Sequence, residues 1–409
     1  MKRITTALSI ATLLAIGTQA ATLEERVATL EEQNTVLTEE VLASQSAGFT
    51  KVDATQSYTG LGAAASKVFY SKNPLSIGGY GEMFYANPDN GEDYADVYRF
   101  ITYFGYRFTD NVILNVEIEY EHGDTSQGGK VVVEFFHLDF LWKDEINLRV
   151  GNLLVPMGLV NLRHEPTLFR TVQRPEVEKY LLPSTWHENG LMTYGTFEDV
   201  GITYSAGMIN ALNIDSDTTR EAGQSWIRDG RIGSAKNGSF SPAFVGRVDY
   251  TGMPGLMAGV SFYYGDGSNK KDATGIDGLT TTIFDVHASY ESGAFSATAL
   301  YTQTNLDGAE KLGVGAVEKA SGYYVNASYD ISSLVGVDMK IPLFAQYQNF
   351  NPIESTVDGS NEEKYQTQIA TIGFNVFPSD QTVLKFDYAM QDVGGVEQNT
   401  LSVGMGFLF

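Results

Sequence analysis

From Leu75 to Phe409, apolar and polar residues alternate with a period of two in runs of about ten residues, the length of a strand that crosses a bilayer at a steep tilt. In Asn111 to Glu121, the side chains of Val112, Leu114, Val116, Ile118 and Tyr120 fall on one face of such a strand. Asn115, Glu117, Glu119 and Glu121 fall on the other. Carboxylates repeated along one strand face cannot point into hydrocarbon, so that face borders a lumen. Leu384, Phe386, Tyr388 and Met390 likewise oppose Lys385 and Asp387, and Val325, Ala327 and Tyr329 oppose Asn326, Ser328 and Asp330. The pattern repeats in about sixteen segments, an even number as a single-chain bacterial barrel requires. They are 75–86, 96–108, 111–122, 131–142, 145–155, 189–197, 199–210, 242–251, 256–266, 281–291, 293–304, 320–331, 338–350, 364–377, 380–391 and 398–409.

Connection lengths test this independently. Short turns at 109–110, 143–144, 198, 252–255, 292 and 378–379 alternate with long ones around 123–130, 156–188, 211–241, 267–280, 305–319 and 351–363. Short turns on the periplasmic side and long external loops are the habit of membrane barrels, and a soluble sandwich has no reason to sort its loops so. The expected fold is all-β, a transmembrane antiparallel barrel of about sixteen strands, preceded by a short N-terminal coiled-coil helix. Its final segment puts Leu401, Val403, Met405, Phe407 and Phe409 on one face, similar to the carboxy-terminal signal that the barrel-assembly machinery reads on outer-membrane barrels.

The amino-terminal residues carry a different pattern. Met1-Lys2-Arg3, the apolar stretch 4–16 and Gly17 to Ala21 form a signal peptide, with cleavage expected after Ala20. In residues 21–43, Leu23, Val27, Leu30, Asn34, Leu37 and Val41 recur in steps of four and three, a heptad seam expected to associate chains, the alternative being a monomeric amphipathic helix at the barrel mouth. So short a seam is stable only on association. Residues 44–74, rich in Ser, Ala, Gly and Thr, read as a linker, and 75–409 as the barrel.

Composition fits a barrel in the outer membrane of a Gram-negative bacterium, in contact with its lipid and lipopolysaccharide. There are 23 Tyr and 23 Phe, suited to aromatic girdles at the two interfaces. Without cysteine the chain has neither disulfide nor thiolate chemistry. A net charge of −23 excludes the basic face that a nucleic-acid partner needs.

Strand parity points Arg99, Arg107, Glu117, Glu119, Glu121, Asp139, Arg149, Arg247, Lys340, Lys385 and Asp387 into the lumen. The longest external connection, 156–188, is the third. It concentrates Arg163, His164, Arg170, Arg174 and Lys179 among Glu165, Glu176 and Glu178, and rings of charged side chains set pore selectivity. Two readings of these charges stand: a constriction that folds into the pore, or pairs that pin the loop to the wall.

Gly151-Asn152 with Pro156-Met157-Gly158-Leu159, the Arg174-Pro175 pair and Leu182-Pro183-Ser184 resemble the phosphate-selective porin O/P family. The resemblance implies a trimeric barrel whose third external loop narrows a water-filled channel. The expected function is passive diffusion of small hydrophilic solutes or ions. The alternative is a structural or adhesive barrel that binds divalent cations or surface partners and conducts little. An enzyme is not expected, and no cofactor or metal site is legible. The histidines (His122, His137, His164, His187 and His287) are scattered, no serine sits in a nucleophile elbow, and Gly123 to Lys130 lacks the glycine and hydroxyl of a phosphate loop, having Asp124 and Val131 there.

Overall fold

The computed structural model describes residues 27, 30, 31, 33–35, 50–123, 126, 128–215, 223–236, 241–267, 276–360 and 363–409. The chain divides into two units, Met1–Thr50 and Lys51–Phe409. In the first, Val27, Leu30, Glu31 and Gln33 to Thr35 lie on helical backbone, with Val27 and Leu30 exposed to solvent. Leu23, Leu37, Val41 and the leader lie outside the described residues. No described helix is long and apolar enough to cross a membrane.

The second unit is a closed barrel of sixteen antiparallel strands in sequence order. They are β1 Leu75–Pro88, β2 Tyr94–Thr109, β3 Val112–Glu121, β4 Lys130–Lys143, β5 Ile146–Leu154, β6 His187–Phe197, β7 Ile202–Asn210, β8 Pro242–Tyr250, β9 Leu256–Asp266, β10 Thr280–Ser292, β11 Phe295–Asp307, β12 Val317–Asp330, β13 Pro342–Thr356, β14 Thr367–Ser379, β15 Thr382–Val393 and β16 Val396–Leu408. Each corresponds to one segment read from the alternation. β1 pairs β16 with Tyr80 opposite Leu408 and Pro88 opposite Thr400, so every strand has two neighbours and no edge is left unpaired.

Boundaries moved where turns took residues from strands. Segment 338–350 becomes β13 from Pro342, because Ser332–Val335 coils into a short helix and the chain only then reaches the wall. Lys340 therefore does not line the lumen. It sits at the periplasmic rim, 65% exposed, and pairs with Asp380 at 3.0 Å. The external connections beside the closing strands, 89–93 and 394–395, are short.

The linker reading fails for residues 51–74. Ala63–Tyr70 forms a helix, α1, whose Ala63, Ala64, Ala65 and Val68 are buried against Tyr80, Ile101, Tyr103 and Phe135 of the wall. Small residues, which composition reads as flexible, let the helix lie close to the strands. Gly105 on β2 is its seat: a Cβ there would collide with Val68. Arg107 anchors the other end by donating to the carbonyls of Val68 (3.2 Å) and Phe69 (2.7 Å), using the free carbonyls of a helix C-terminus.

Outward faces carry Phe100, Phe104, Tyr120, Val260, Tyr301, Ile372 and Leu401, all large, apolar and exposed. Such a belt has no stable place in water. Phe409 extends the closing ladder: its N–H donates to Gly79 O and its O accepts from Gly79 N, each at 3.0 Å, and its ring stacks 5.9 Å from Phe100. Deleting Phe409 should reduce the folded, heat-modifiable form on unheated gels while export across the inner membrane continues; an unchanged yield of that form would exclude a role in closure.

Candidate functional site

Proline sets the path of the third external connection, residues 155–186. Pro156, Pro166, Pro175 and Pro183 lack the N–H that a ladder needs, so β5 cannot continue and the chain turns inward. Between Pro175 and Leu181 it winds one short helix, α2, Glu176–Tyr180. Val155, Met157, Val177, Leu181, Leu182 and Trp186 are fully buried inside the barrel.

An irregular segment in the lumen exposes peptide groups that the ladders cannot satisfy. Wall side chains satisfy them. Asp285 Oδ2 on β10 accepts the amide of Gly158 at 3.0 Å, and the Arg247 guanidinium on β8 donates to Gly158 O. Asp387 Oδ2 on β15 accepts the amide of Val172 at 2.6 Å. Lys385 Nζ donates to the carbonyls of Phe169 (3.0 Å) and Thr171 (2.9 Å), and Asn375 Nδ2 on β14 to that of Arg170 (2.9 Å).

The loop's own carboxylates do the same work. Glu178 accepts the amides of Leu159 (2.9 Å) and Val160 (2.7 Å) and the hydroxyl of Tyr324 on β12 (2.6 Å). Glu165 Oε1 accepts the amides of Ala64 (2.9 Å) and Ala65 (3.2 Å), fastening the loop to the first turn of α1. Burial pushes both carboxyls up to about 7. Burial, and then the Arg174 guanidinium, push His164 down to about 4, so its imidazole is neutral.

Cations of the loop fare differently. Arg163 and Lys179 make no ion pair among the described residues, and Arg170 reaches only the hydroxyls of Ser328 (3.3 Å) and Ser296 (3.4 Å). Arg174 donates to Tyr80 Oη and to His164 O, each at 3.1 Å. Arg163 and Arg170 line a cavity of about 100 Å³ on the periplasmic side, with Glu291, Asn326 and Gln346. Arg174, Glu176 and Lys179 line one of about 290 Å³ on the external side, with Gln348, Asp387 and Gln391. The chain passes from the first cavity to the second between Arg170 and Thr171.

Of the residues that parity pointed inward, Arg99, Glu117, Glu119, Glu121, Asp139, Arg149, Arg247, Lys385 and Asp387 are buried inside the wall. Most are spent in ion pairs: Arg99 pairs with Glu82 (3.2 Å) and Glu119 (3.1 Å), Arg149 with Asp139 (2.8 Å), Arg247 with Asp249 (2.6 Å), and Glu121 with Lys130 (2.9 Å). Glu134 was not foreseen. Glu117 pairs with Phe135 but Ile118 with Val133, so Glu134 is the extra residue of a bulge and turns inward against its parity. Tyr80, Ile101, Tyr103 and Phe135 point inward too, though apolar, because α1 covers them.

Closure, the apolar belt and a loop folded into a charged interior together define a transmembrane barrel of the outer-membrane class, and the chain belongs in the outer membrane of a Gram-negative cell. Solved structures share the fold. The anion-selective porin from Comamonas acidovorans is 15% identical, with 82% of this chain and 99% of that chain covered at a TM-score of 0.54. The outer-membrane channel DcaP of Acinetobacter baumannii is 11% identical, covering 82% and 97% at 0.55, and OmpF of Salmonella typhi 12% identical, covering 82% and 97% at 0.53. No family model matches the chain, and the resemblance to phosphate-selective porins rests on its motifs alone. The chain belongs to the family of an uncharacterized protein of Aquifex aeolicus (strain VF5), to which it is 32% identical over 368 residues, 85% of this chain and 83% of that protein.

Glu178 gives the loop a pH dependence. Its carboxyl is held at about 7 in the folded barrel, against 4.5 for an ordinary glutamate, by burial and by Asp285 nearby, with Tyr324 and the loop amides opposing. Because the folded state keeps the proton longer, its contribution to loop seating is full below about pH 4.5 and declines as pH rises towards 7. Protease cleavage within 155–186 should therefore be faster at pH 8 than at pH 5, and Glu178→Gln should flatten the difference; equal rates in the unaltered protein would contradict this.

Proposed function

We propose that the protein is a porin through which small hydrophilic solutes and ions diffuse, narrowed by the third external loop, with a preference for anions. One observation carries the preference. Glu165 and Glu178 are used up on backbone amides, whereas Arg163, Arg170 and Lys179 keep their charge for the cavities. Periplasmic to the loop the cavity holds two guanidiniums against Glu291, and external to it Arg174 and Lys179 face Glu176 and Asp387. A small anion passing the loop would meet guanidiniums in both cavities, as rings of cationic side chains favour anions in other pores. The free cations belong to the loop and not to a ladder on the wall, where Arg99, Arg149 and Arg247 are each paired with a carboxylate. Phosphate specificity is accordingly not part of this reading. Passage, not catalysis, is the activity.

The remaining assignments support such a channel. Residues 1–20 would serve as the leader, and residues 21–43 would join three chains through their heptad seam. The outward apolar belt would meet lipid and lipopolysaccharide, and the alternating face from Leu401 to Phe409 would be read by the barrel-assembly machinery.

In planar bilayers the refolded protein should give steady ohmic steps, and silence would reject a channel. Neutralising one charge about 7 Å from a passing ion removes about 0.6 kcal/mol of attraction for an anion and as much repulsion of a cation in water, so each of Arg163→Gln and Arg170→Gln should lower the anion-to-cation permeability ratio roughly sevenfold. A reversal potential that does not move in the double variant would show that the path lies elsewhere. Deleting residues 21–43 should abolish trimeric crosslinked species and leave monomer; trimers that survive the deletion would assign assembly to the barrel wall.

A further inference from the structure

Where the third external loop meets β3 and β4, Glu117, Glu134 and His164 converge, with one ligand atom from each lying within 4.8 Å of the others. All are buried: Glu117 is 0%, Glu134 3% and His164 2% exposed. His164 Nδ1 lies 2.8 Å from the carbonyl oxygen of Asn161, which can only accept, so Nδ1 carries the ring hydrogen. In the neutral ring Nε2 then faces Glu117 Oε1 at 3.1 Å as a lone pair, acceptor against acceptor. Among the described residues no donor reaches Glu117 Oε2 or Glu134 Oε2. Unpaired acceptors turned on one another in a dry site are costly unless a cation lies between them.

From this arrangement we infer a divalent metal site, with Glu117, Glu134 and His164 as its protein ligands and an ion of the zinc type as its occupant. Imidazole with two carboxylates suits zinc, whereas magnesium and calcium favour oxygen alone. The Asn161 carbonyl behind Nδ1 is the support that metal-binding histidines commonly have. Charge agrees: Glu82, Glu117, Glu119 and Glu134 outnumber the guanidiniums of Arg99, Arg174 and Arg231 that act on them. One ligand, Glu134, also borders an external cavity of about 500 Å³ that Glu119 and His187 share with Arg99 and Arg231. The three ligands come from two strands and the loop, so a bound ion would fasten the constriction to the wall.

The site is read by binding, not by conductance, so it stands or falls apart from the channel. Refolded full-length protein, stripped with chelator and passed through a desalting column, would be titrated calorimetrically with zinc chloride, and with magnesium and calcium chloride in parallel. One zinc per chain at micromolar or tighter affinity is expected, with at least a tenfold loss in Glu134→Gln and in His164→Gln, and no comparable magnesium or calcium isotherm. Heat-modifiable mobility on unheated gels would confirm that each variant is folded. Absence of a stoichiometric zinc isotherm in the folded unaltered protein would overturn the proposal, leaving protons as the cations that hold the cluster. Unchanged affinity in both folded variants would overturn it equally.

Discussion

Irregular backbone inside a barrel must have its peptide groups satisfied, and the rest of this molecule is arranged around that demand. The wall satisfies itself through sixteen ladders closed on one another. The third external loop and α1 have no ladder. Their amides and carbonyls are met by Asp285, Asp387, Lys385, Arg247, Arg107, Glu165 and Glu178, each aimed at a particular peptide group. A charge used in this way serves position, because a buried carboxylate relieved by amide donors is costly to remove and adds little field to the pore.

This division sorts the interior into two parts. Towards β1 to β5, helix α1 packs on inward aromatic and aliphatic side chains, and the carboxylates around Arg99 lie nearby. Towards β9 to β16 the wall presents Ser296, Asn326, Gln346, Gln348, Gln391 and Gln398, uncharged polar groups that border the two cavities. The loop runs between these halves. It turns Glu165 into the packed one and extends Arg163, Arg170 and Lys179 towards the wet one. A segment that looks balanced in charge along the chain is thus unbalanced in space.

Strand number, order and face were legible because a strand between lipid and a lumen has an unambiguous period of two. The inward set failed where that period breaks. Glu134 was hidden by a bulge, and Lys340 was misassigned because a short helix delays the start of β13. The interior helix was missed for another reason: Ala, Gly and Ser are written alike in a mobile tether and in a helix pressed against a wall, and only Gly105 opposite Val68 distinguishes them. The loop was legible as unusual in length and charge. Which of its charges were free was not, since that depends on partners far away in sequence, such as the Tyr324 hydroxyl that donates to Glu178.

Long-range convergence also explains why no ligand motif was visible. Glu117 and Glu134 stand on neighbouring strands, and His164 arrives from a loop. Their meeting depends on the bulge that turns Glu134 inward and on Asn161, whose side chain donates to the carbonyls of Val155 (2.7 Å) and Trp186 (2.8 Å) and so closes the base of the loop. Asn161 also supplies the carbonyl that orients His164. The residue that closes the base of the loop therefore also orients the imidazole against the wall, so the position of the loop and the electrostatics of the cluster are set by the same contacts. A change that loosens one must disturb the other.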